Sequence, residues 1–354
     1  MAIDRVLSAD SGGEKEETFN AALRPKSLSE CIGQRNVKEK LAIAIAAARQ
    51  RGEPLEHILF YGPPGLGKTT LANVIAHEMG AAIRVSSGPA LTKQGDVMGL
   101  LSNVSTGDIL FIDEIHRLSA PVEEFIYPAM EDFKVDFTVD SGLHAKTINF
   151  PLKRFTLIGA TTRAGLLSAP LRGRFGMLHH LEFYSPEELT DILVRSARLL
   201  GLVSADGCLE MIAARSRGTP RIANRLLKRV RDYAQVKGEG RLTGEVVERS
   251  LKMEQIDALG LDELDRAFLR ALITVYDGGP AGIEALAATL GEERDTLEDV
   301  VEPYLLQVGF VRRTKRGREV TPAACEHVGL PLRRAKVHLA EQAELFEESA
   351  DDSQ

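Results

Sequence analysis

The chain has 354 residues, 44% hydrophobic and 27% charged, with a formal net charge of −7. That composition excludes a disordered chain and gives room for two or three domains with a sizeable core. No apolar run approaches the ~20 residues that span a bilayer, and the start, "MAIDRVLSADSGGEKEE", has no basic-then-apolar order of a secretory signal. The three cysteines, Cys31, Cys208 and Cys325, show no CxxC spacing. The expectation is a reducing cytoplasm, no membrane, and neither a zinc ribbon nor a disulfide framework. The acidic balance argues against a protein that coats nucleic acid, but the charge is uneven. "FVRRTKRGREV" (310–320) is basic and "EQAELFEESADDSQ" purely acidic in its charges, so one local patch can still meet DNA.

In chain order, residues 1–20 are polar and Gly/Ser/Glu-rich, and are expected to be mobile. "NVKEKLAIAIAAARQR" (36–51) predicts a helix. Five strands follow, "HILFYG" (57–62), "AIRVSSG" (82–88), "DILFIDE" (108–114), "FTLIGATT" (155–162) and "MLHHLEFY" (177–184), with helical stretches between most of them. Strand–helix alternation predicts a parallel sheet with helices on both faces, an α/β fold. One insertion, "KVDFTVDSGLHAKTINF" (134–150), alternates Val135, Phe137 and Val139 with polar residues and turns at Ser141-Gly142, the pattern of a β-hairpin.

"SPEELTDILVRSARLLG" opens with a serine cap, proline at the first helical position and early acids. Helices without a convincing strand follow to about 255, predicting a small all-α lid. Beyond, three helices and then a strand pair around Lys315-Arg316-Gly317 outline a winged helix. The expected domains are 1–184, 185–255 and 256–330, with 331–354 as a C-terminal extension.

Gly62, Gly65, Gly67, Lys68 and Thr69 fit GxxxxGK[ST] between a strand and a helix. Glycines let N–H groups turn onto phosphates, Lys68 reaches the β and γ phosphates, and the Thr69 hydroxyl can bind Mg²⁺. Asp113 and Glu114 end the third strand, where an aspartate can hold the magnesium's water shell and a glutamate can polarise water. An acid built in as base suits hydrolysis better than transfer to a hydroxyl. Thr161, Thr162 and Arg163 end the next strand, where a hydroxyl can contact the γ-phosphate or the water; a plain polar strand end competes with this. Arg172 and Arg174 sit in "SAPLRGRFG", where a γ-phosphate arginine would stabilise transition-state charge; the alternative is a pair of surface arginines at a helix end. "RGTPRIANRLLKRVRDYA" places Arg221 at a helix start, with Arg225, Lys228 and Arg229 near one face. His179-His180 lacks a third ligand nearby and reads as strand filler. Phosphate contacts from Arg312, Arg313, Lys315, Arg316 and Arg318 would be sequence-independent, and no aromatic ladder indicates single-strand stacking. A solvated or protein-binding wing competes with that reading.

Together these motifs are the AAA+ set. The series "ALRPKSLSECIGQ", "GPPGLGKTTLA", "DEIHRLS", "EEFIYPAMEDF", "LIGATTRAG", "PLRGRFG", "GTPRIANRLLKRVRD" and "GGPAGIEALAATLGEERDTLEDVVEPYL" resembles the RuvB family, bacterial Holliday junction branch-migration motors, over roughly residues 18 to 330. The resemblance implies an AAA+ core, lid and winged-helix head, and an ATP- and Mg²⁺-dependent DNA translocase of recombination, repair and the SOS response. It also implies a homo-hexameric ring on duplex DNA with a RuvA-like junction-binding partner and a RuvC-like resolvase. By the same resemblance Leu23 and Arg24 lie against adenine. Gly65, Gly67, Lys68, Thr69, Thr70, Glu131, Asp132, Phe133, Tyr184 and Arg221 also line the nucleotide. Lys68, Asp113, Glu114, Thr162 and Arg174 would be catalytic, Arg174 being the finger given to a neighbour in preference to Arg172, and Thr69 and Asp113 would serve the metal. Arg221 would be a nucleotide sensor. Arg294, Arg313 and Arg318 would touch DNA phosphates, and the 134–150 hairpin, through Val135, Phe137 and Val139, would dock the junction-binding partner, against the plainer reading of a sheet-edge decoration. Thr161-Thr162 departs from the asparagine of many AAA+ chains. An initiator-like AAA+ winged-helix switch that does not translocate is the rival; a protein-remodelling enzyme lacks its aromatic–hydrophobic–Gly pore signature in "SSGPALTKQGDVMG".

Overall fold

A computed structural model describes residues 22–139 and 146–331. The expected mobility of 1–20, the Ser141-Gly142 turn and the extension beyond 331 lie outside the described residues. The chain divides into two compact units between Met253 and Glu254.

In the first unit, α1 (Arg35–Arg51) precedes β1 (Ile58–Tyr61), α2 (Lys68–Met79), β2 (Ile83–Ser87), α3 (Gln94–Leu101) and β3 (Ile109–Asp113). Then come α4 (Ala120–Glu131), β4 (Lys134–Val139), β5 (Lys146–Pro151), β6 (Thr156–Thr161), α5 (Ala169–Gly173) and β7 (Met177–His180). The sheet runs β2-β3-β6-β1-β7, all parallel. Alternation along each strand feeds two cores. Leu59, Leu110, Ile112 and Leu157 pack with α3 and α4; Ile58, Phe60, Phe111, Ile158 and Ala160 pack with α1 and α2. Both faces are therefore covered, as a parallel sheet requires.

Register makes the sheet polar. Ile58 pairs with Ile158 and Met177, and Tyr61 with Thr161 and His180, so strand starts and strand ends are each level. The C-terminal edge presents Gly62, Asp113 and Thr161–Thr162. The N-terminal edge presents His57, Phe155 and the residues just before Met177. β4 and β5 form the expected antiparallel hairpin, Val135 opposite Phe150.

The lid comprises α6 (Pro186–Leu199), α7 (Cys208–Ala214), α8 (Pro220–Lys237) and α9 (Gly244–Met253). It also holds a parallel strand pair, β8 (Val203–Ser204) and β9 (Arg241–Leu242). The sequence gives no sign of it, because two-residue strands cannot display an alternation. The second unit has α10 (Glu263–Thr274), α11 (Ile283–Leu290) and a third helical run of α12 (Arg294–Thr296), a π turn (Leu297–Val301) and α13 (Glu302–Gln307). The wing, β10 (Val311–Thr314) and β11 (Gly317–Val320), is extended by a bridge from Ala281 to Arg318 and followed by α14 (Pro322–Val328). No helix of the described residues is long and apolar enough to cross a membrane.

Ser185 accepts from the Glu188 N–H at 3.2 Å while Glu188 accepts from the Ser185 N–H at 3.1 Å, a closed capping box at the lid's entry. Ser185→Ala is expected to lower the unfolding free energy by about 1 kcal/mol in a denaturant titration.

Candidate functional site

The phosphate loop is shaped by backbone that side chains would obstruct. Gly62 has φ +136°, and a Cβ there would lie 2.5 Å from the Leu181 carbonyl oxygen. Gly65 has φ +81°, and its Cβ would press on Arg221 Cβ at 3.2 Å. Only glycine combines that dihedral with that approach. Lys68 opens α2 and is buried, its Nζ donating to the Gly62 and Pro63 carbonyls at 2.8 and 2.9 Å. Burial pushes its pKa down to about 8, against the pull of Asp113 and Glu114. The loop is thus an anion cradle at a helix N-terminus, with a cation folded into it.

The lid closes over the same loop. The Tyr184 hydroxyl donates to the Leu66 carbonyl at 3.3 Å, and the Arg221 N–H donates to Gly65 at 3.4 Å. Thr70 Cβ lies 3.9 Å from a Cβ built on Gly67. Leu23 is buried, and the carbonyls of Leu23 and Arg24 accept from Arg195 at 2.6 and 3.3 Å. This ties the N-terminal segment to α6. Sequence reasoning missed Arg195, since a helix-surface arginine reads as solvated.

At the C-terminal edge Thr69 Oγ1 lies 3.5 Å from Asp113 Oδ2. A hydroxyl facing a carboxylate, beside a phosphate cradle, fits Mg²⁺, which keeps its waters and takes few protein ligands. Glu114 follows in the left-handed region (φ 48°), which turns its side chain away from the strand line. Its Oε2 accepts from Thr162 Oγ1 at 3.4 Å and lies 3.2 Å from His116 Nδ1. Of the threonine pair, Thr162 therefore faces the acid. Thr161 is buried, accepts from the Arg163 N–H at 3.0 Å and meets His116 Nδ1 at 2.8 Å. His179 and His180 pack against Phe60 and Tyr61, and no group of three metal-ligating side chains occurs among the described residues.

A second constellation gathers at the opposite edge. Arg174 lies three residues ahead of Met177, whose N–H donates to the His57 carbonyl at the start of β1. The guanidinium of Arg174 donates to the Pro170 carbonyl at 2.7 Å and to Glu131 at 3.3 Å, and stacks on the Tyr127 ring at 4.1 Å. Asp132 pairs with Lys134 at 3.1 Å. Phe133 packs on His57 and Phe155, with ring centroids 6.2 and 5.9 Å apart. His57 itself bonds Met130 and Leu157, binding the end of α4 to this edge. Arg174, Glu131, Asp132 and Phe133 are therefore separated from their own phosphate loop by the length of a strand, roughly 10 Å. Arg172 is exposed.

Val135 corrects an expectation: it is fully buried in the core beneath the hairpin and has no surface to give a partner. The exposed apolar residues of the described hairpin are Ile148 and Phe150, and the side chains of Phe137 and Val139 lie outside the described residues.

In the second unit Arg313 and Arg318 sit opposite each other on the wing and close on one carboxylate. Arg313 donates to Glu302 at 2.8 and 2.5 Å and Arg318 at 2.9 and 3.1 Å, with a further bond from Arg318 to Glu298 at 3.2 Å. Arg294 pairs with Glu284 at 3.0 Å and Glu298 at 3.3 Å. Glu302 is fully buried; burial alone would raise its pKa, but the two guanidiniums outweigh it and hold the carboxyl below its ordinary value. Arg318 is only 14% exposed and faces inward, departing from the expected phosphate contact, whereas Arg313 keeps 56% of its side-chain surface. Arg312, Lys315 and Arg316 are exposed.

Comparison with known proteins follows this layout. Residues 23–181 match the family model of the Holliday junction DNA helicase RuvB P-loop domain, 184–257 the RuvB AAA lid domain, and 258–329 the RuvB C-terminal winged helix domain. Among solved structures, the Thermotoga maritima RuvB Holliday junction branch migration motor is 52% identical, with a TM-score of 0.81, covering 88% of this chain and 99% of that one. An arginine-to-alanine variant of Thermotoga maritima RuvB matches at 52% identity and a TM-score of 0.80, over 87% of this chain and 98% of that one.

Two outcomes are expected. Phosphates favour the charged form of Lys68, so ADP and ATP should bind more weakly as pH rises through about 8, with proton uptake on binding. Calorimetry in buffers of different ionisation enthalpy measures that uptake. Glu302→Ala strands two guanidiniums and should cost about 3 kcal/mol of stability in the second unit, the low end for a buried pair because Arg313 is half exposed. Since the folded carboxyl is depressed, that stability is present above the ordinary carboxylate pKa and is lost as pH falls through the folded value. Urea titrations of both proteins at pH 7 and in acid should show the gap narrowing.

Proposed function

The chain belongs to the RuvB family of Holliday junction DNA helicases, ATP hydrolases that drive branch migration, and from this premise we propose how its residues carry out that work. The phosphate loop and Lys68 hold the ATP phosphates. Thr69 and Asp113 serve a Mg²⁺ that neutralises phosphate charge. Glu114, oriented by Thr162, polarises the attacking water, and Tyr184, Arg221, Leu23 and Arg24 wall the nucleoside against the lid.

Arg174 acts on a neighbouring subunit's ATP. The observation that carries this is its position: it stands ahead of the strands, while its own Lys68 lies past their ends. Glu131, Asp132 and Phe133 share that edge and line the neighbour's nucleotide. A site completed only between copies calls for head-to-tail assembly, which we read as a closed hexameric ring. Arg294 and Arg313, with exposed Arg312, Lys315 and Arg316, meet DNA phosphates; Arg318 holds the wing in place. A RuvA-like protein docks on the hairpin through its exposed apolar residues, and a RuvC-like resolvase completes the reaction. The buried free thiols Cys31, Cys208 and Cys325 suit a cytoplasmic setting.

The test is dissociation of a labelled four-way junction with ATP, with and without the junction-binding partner. Conversion to duplex arms, stimulated by the partner and abolished by Lys68→Ala, is expected. Stable DNA binding and ATP turnover without conversion would replace this reading with an initiator-like switch. Lys315→Ala and Arg316→Ala should each weaken DNA binding evenly across sequences and reduce the salt slope by about one.

A further inference from the structure

We propose that Tyr127 is the positioning residue for Arg174, holding its guanidinium ready for a neighbour's γ-phosphate. The inference rests on Arg174 being the residue given in trans. The guanidinium lies on the tyrosine ring at 4.1 Å, and its Nε is buried without a hydrogen-bond partner among the described residues. Nη1 is bonded to Pro170 and Nη2 to Glu131. Of the fork's five N–H groups two are thereby used, and each Nη keeps one hydrogen for a further acceptor such as a phosphate oxygen. The ring blocks one face of the fork and favours the cation. The ring contact and these two bonds thus hold the Arg174 guanidinium in one orientation.

Tyr127 is itself held. Its hydroxyl donates to Glu123 at 2.5 Å and meets Ser168 Oγ at 3.2 Å. Ser168 also donates to the same Glu123 oxygen and accepts from the Leu171 N–H at 3.2 Å, capping α5. One carboxylate therefore fixes both the platform, on α4, and the single turn that carries the arginine. Burial first, and then the bond to Glu123, raise the phenol's pKa, so the ring stays neutral and the hydroxyl a donor at physiological pH.

DNA-stimulated ATP turnover tests this, with thermal melting to confirm folding. Tyr127→Phe keeps the ring but loses the bond that ties it to Glu123, and should lose about threefold in kcat, less than Tyr127→Leu. Tyr127→Leu should lose roughly tenfold in kcat with KM for ATP within about twofold, because its own phosphate loop is untouched. Arg174→Ala sets the floor, expected to be about a thousandfold down, and the double variant should fall no further. A merely structural role would not predict the mixing result. Tyr127→Leu subunits combined with Lys68→Ala subunits should recover turnover, since the latter donate a correctly held arginine to the former's intact site. An undiminished Tyr127→Leu overturns the proposal, as does failure of mixing to restore turnover or further loss in the double variant. Full activity in Arg174→Ala would instead remove the premise, and the proposal with it.

Discussion

Everything in the first unit follows from five strands pointing the same way with their ends level. A parallel sheet has two chemically different edges, and loops leaving the C-terminal ends converge on a ligand there. Lys68, Thr69, Asp113, Glu114 and Thr162 come together because each stands at or just beyond the end of a strand or at the start of the helix that follows it. Arg174, Tyr127 and Glu131 come together at the other edge for the same reason, at the return into β7. No single side chain decides that separation; the register does.

The sequence made the first edge legible and left the second in doubt. A glycine-rich loop followed by Lys-Thr, and an apolar strand closed by Asp-Glu, are local patterns whose chemistry requires a particular backbone, so reading them needs no tertiary knowledge. Arg172 is exposed while Arg174 lies on a stacking partner 47 residues earlier in the chain, Tyr127, which in sequence is one aromatic on an amphipathic helix. Val135 shows the same limit. Alternation correctly predicted a hairpin, but it marks which side a residue faces and not whether that side is covered, and here α4 and the core cover it. The pairing of Arg313 and Arg318 on Glu302 was likewise invisible, because Glu302 reads as an ordinary acid in "EDVVEPYLL" until the wing folds over it.

Two buried charges in this chain are handled differently, and the difference matches their tasks. Glu302 is held between two guanidiniums and stays ionised, which fixes the wing and turns Arg318 inward. Lys68 receives only carbonyl oxygens close by, with the acids farther off, and its ammonium is left under-compensated. A fully satisfied pair is a structural joint; an under-compensated cation in a cradle of N–H groups is a demand for an anion.

The contact between lid and loop decides how that demand is transmitted. Tyr184 stands just before the lid's first helix and Arg221 in the first turn of its third, and each donates a hydrogen bond directly to a loop carbonyl, Leu66 and Gly65. Gly65 admits no Cβ without pressing on Arg221, so loop and lid helix are already in contact across their backbones. The Gly65 and Leu66 carbonyls share peptide planes with the N–H groups of Leu66 and Gly67, so the lid's bonds and the loop's phosphate-facing donors belong to the same rigid units. Arg195 on α6 also grips the carbonyls of Leu23 and Arg24, which attaches the N-terminal segment to the same lid helix. Loop, lid and N-terminal segment are thus joined by one backbone bond, from Arg221, and by side-chain bonds from Tyr184 and Arg195 to backbone carbonyls.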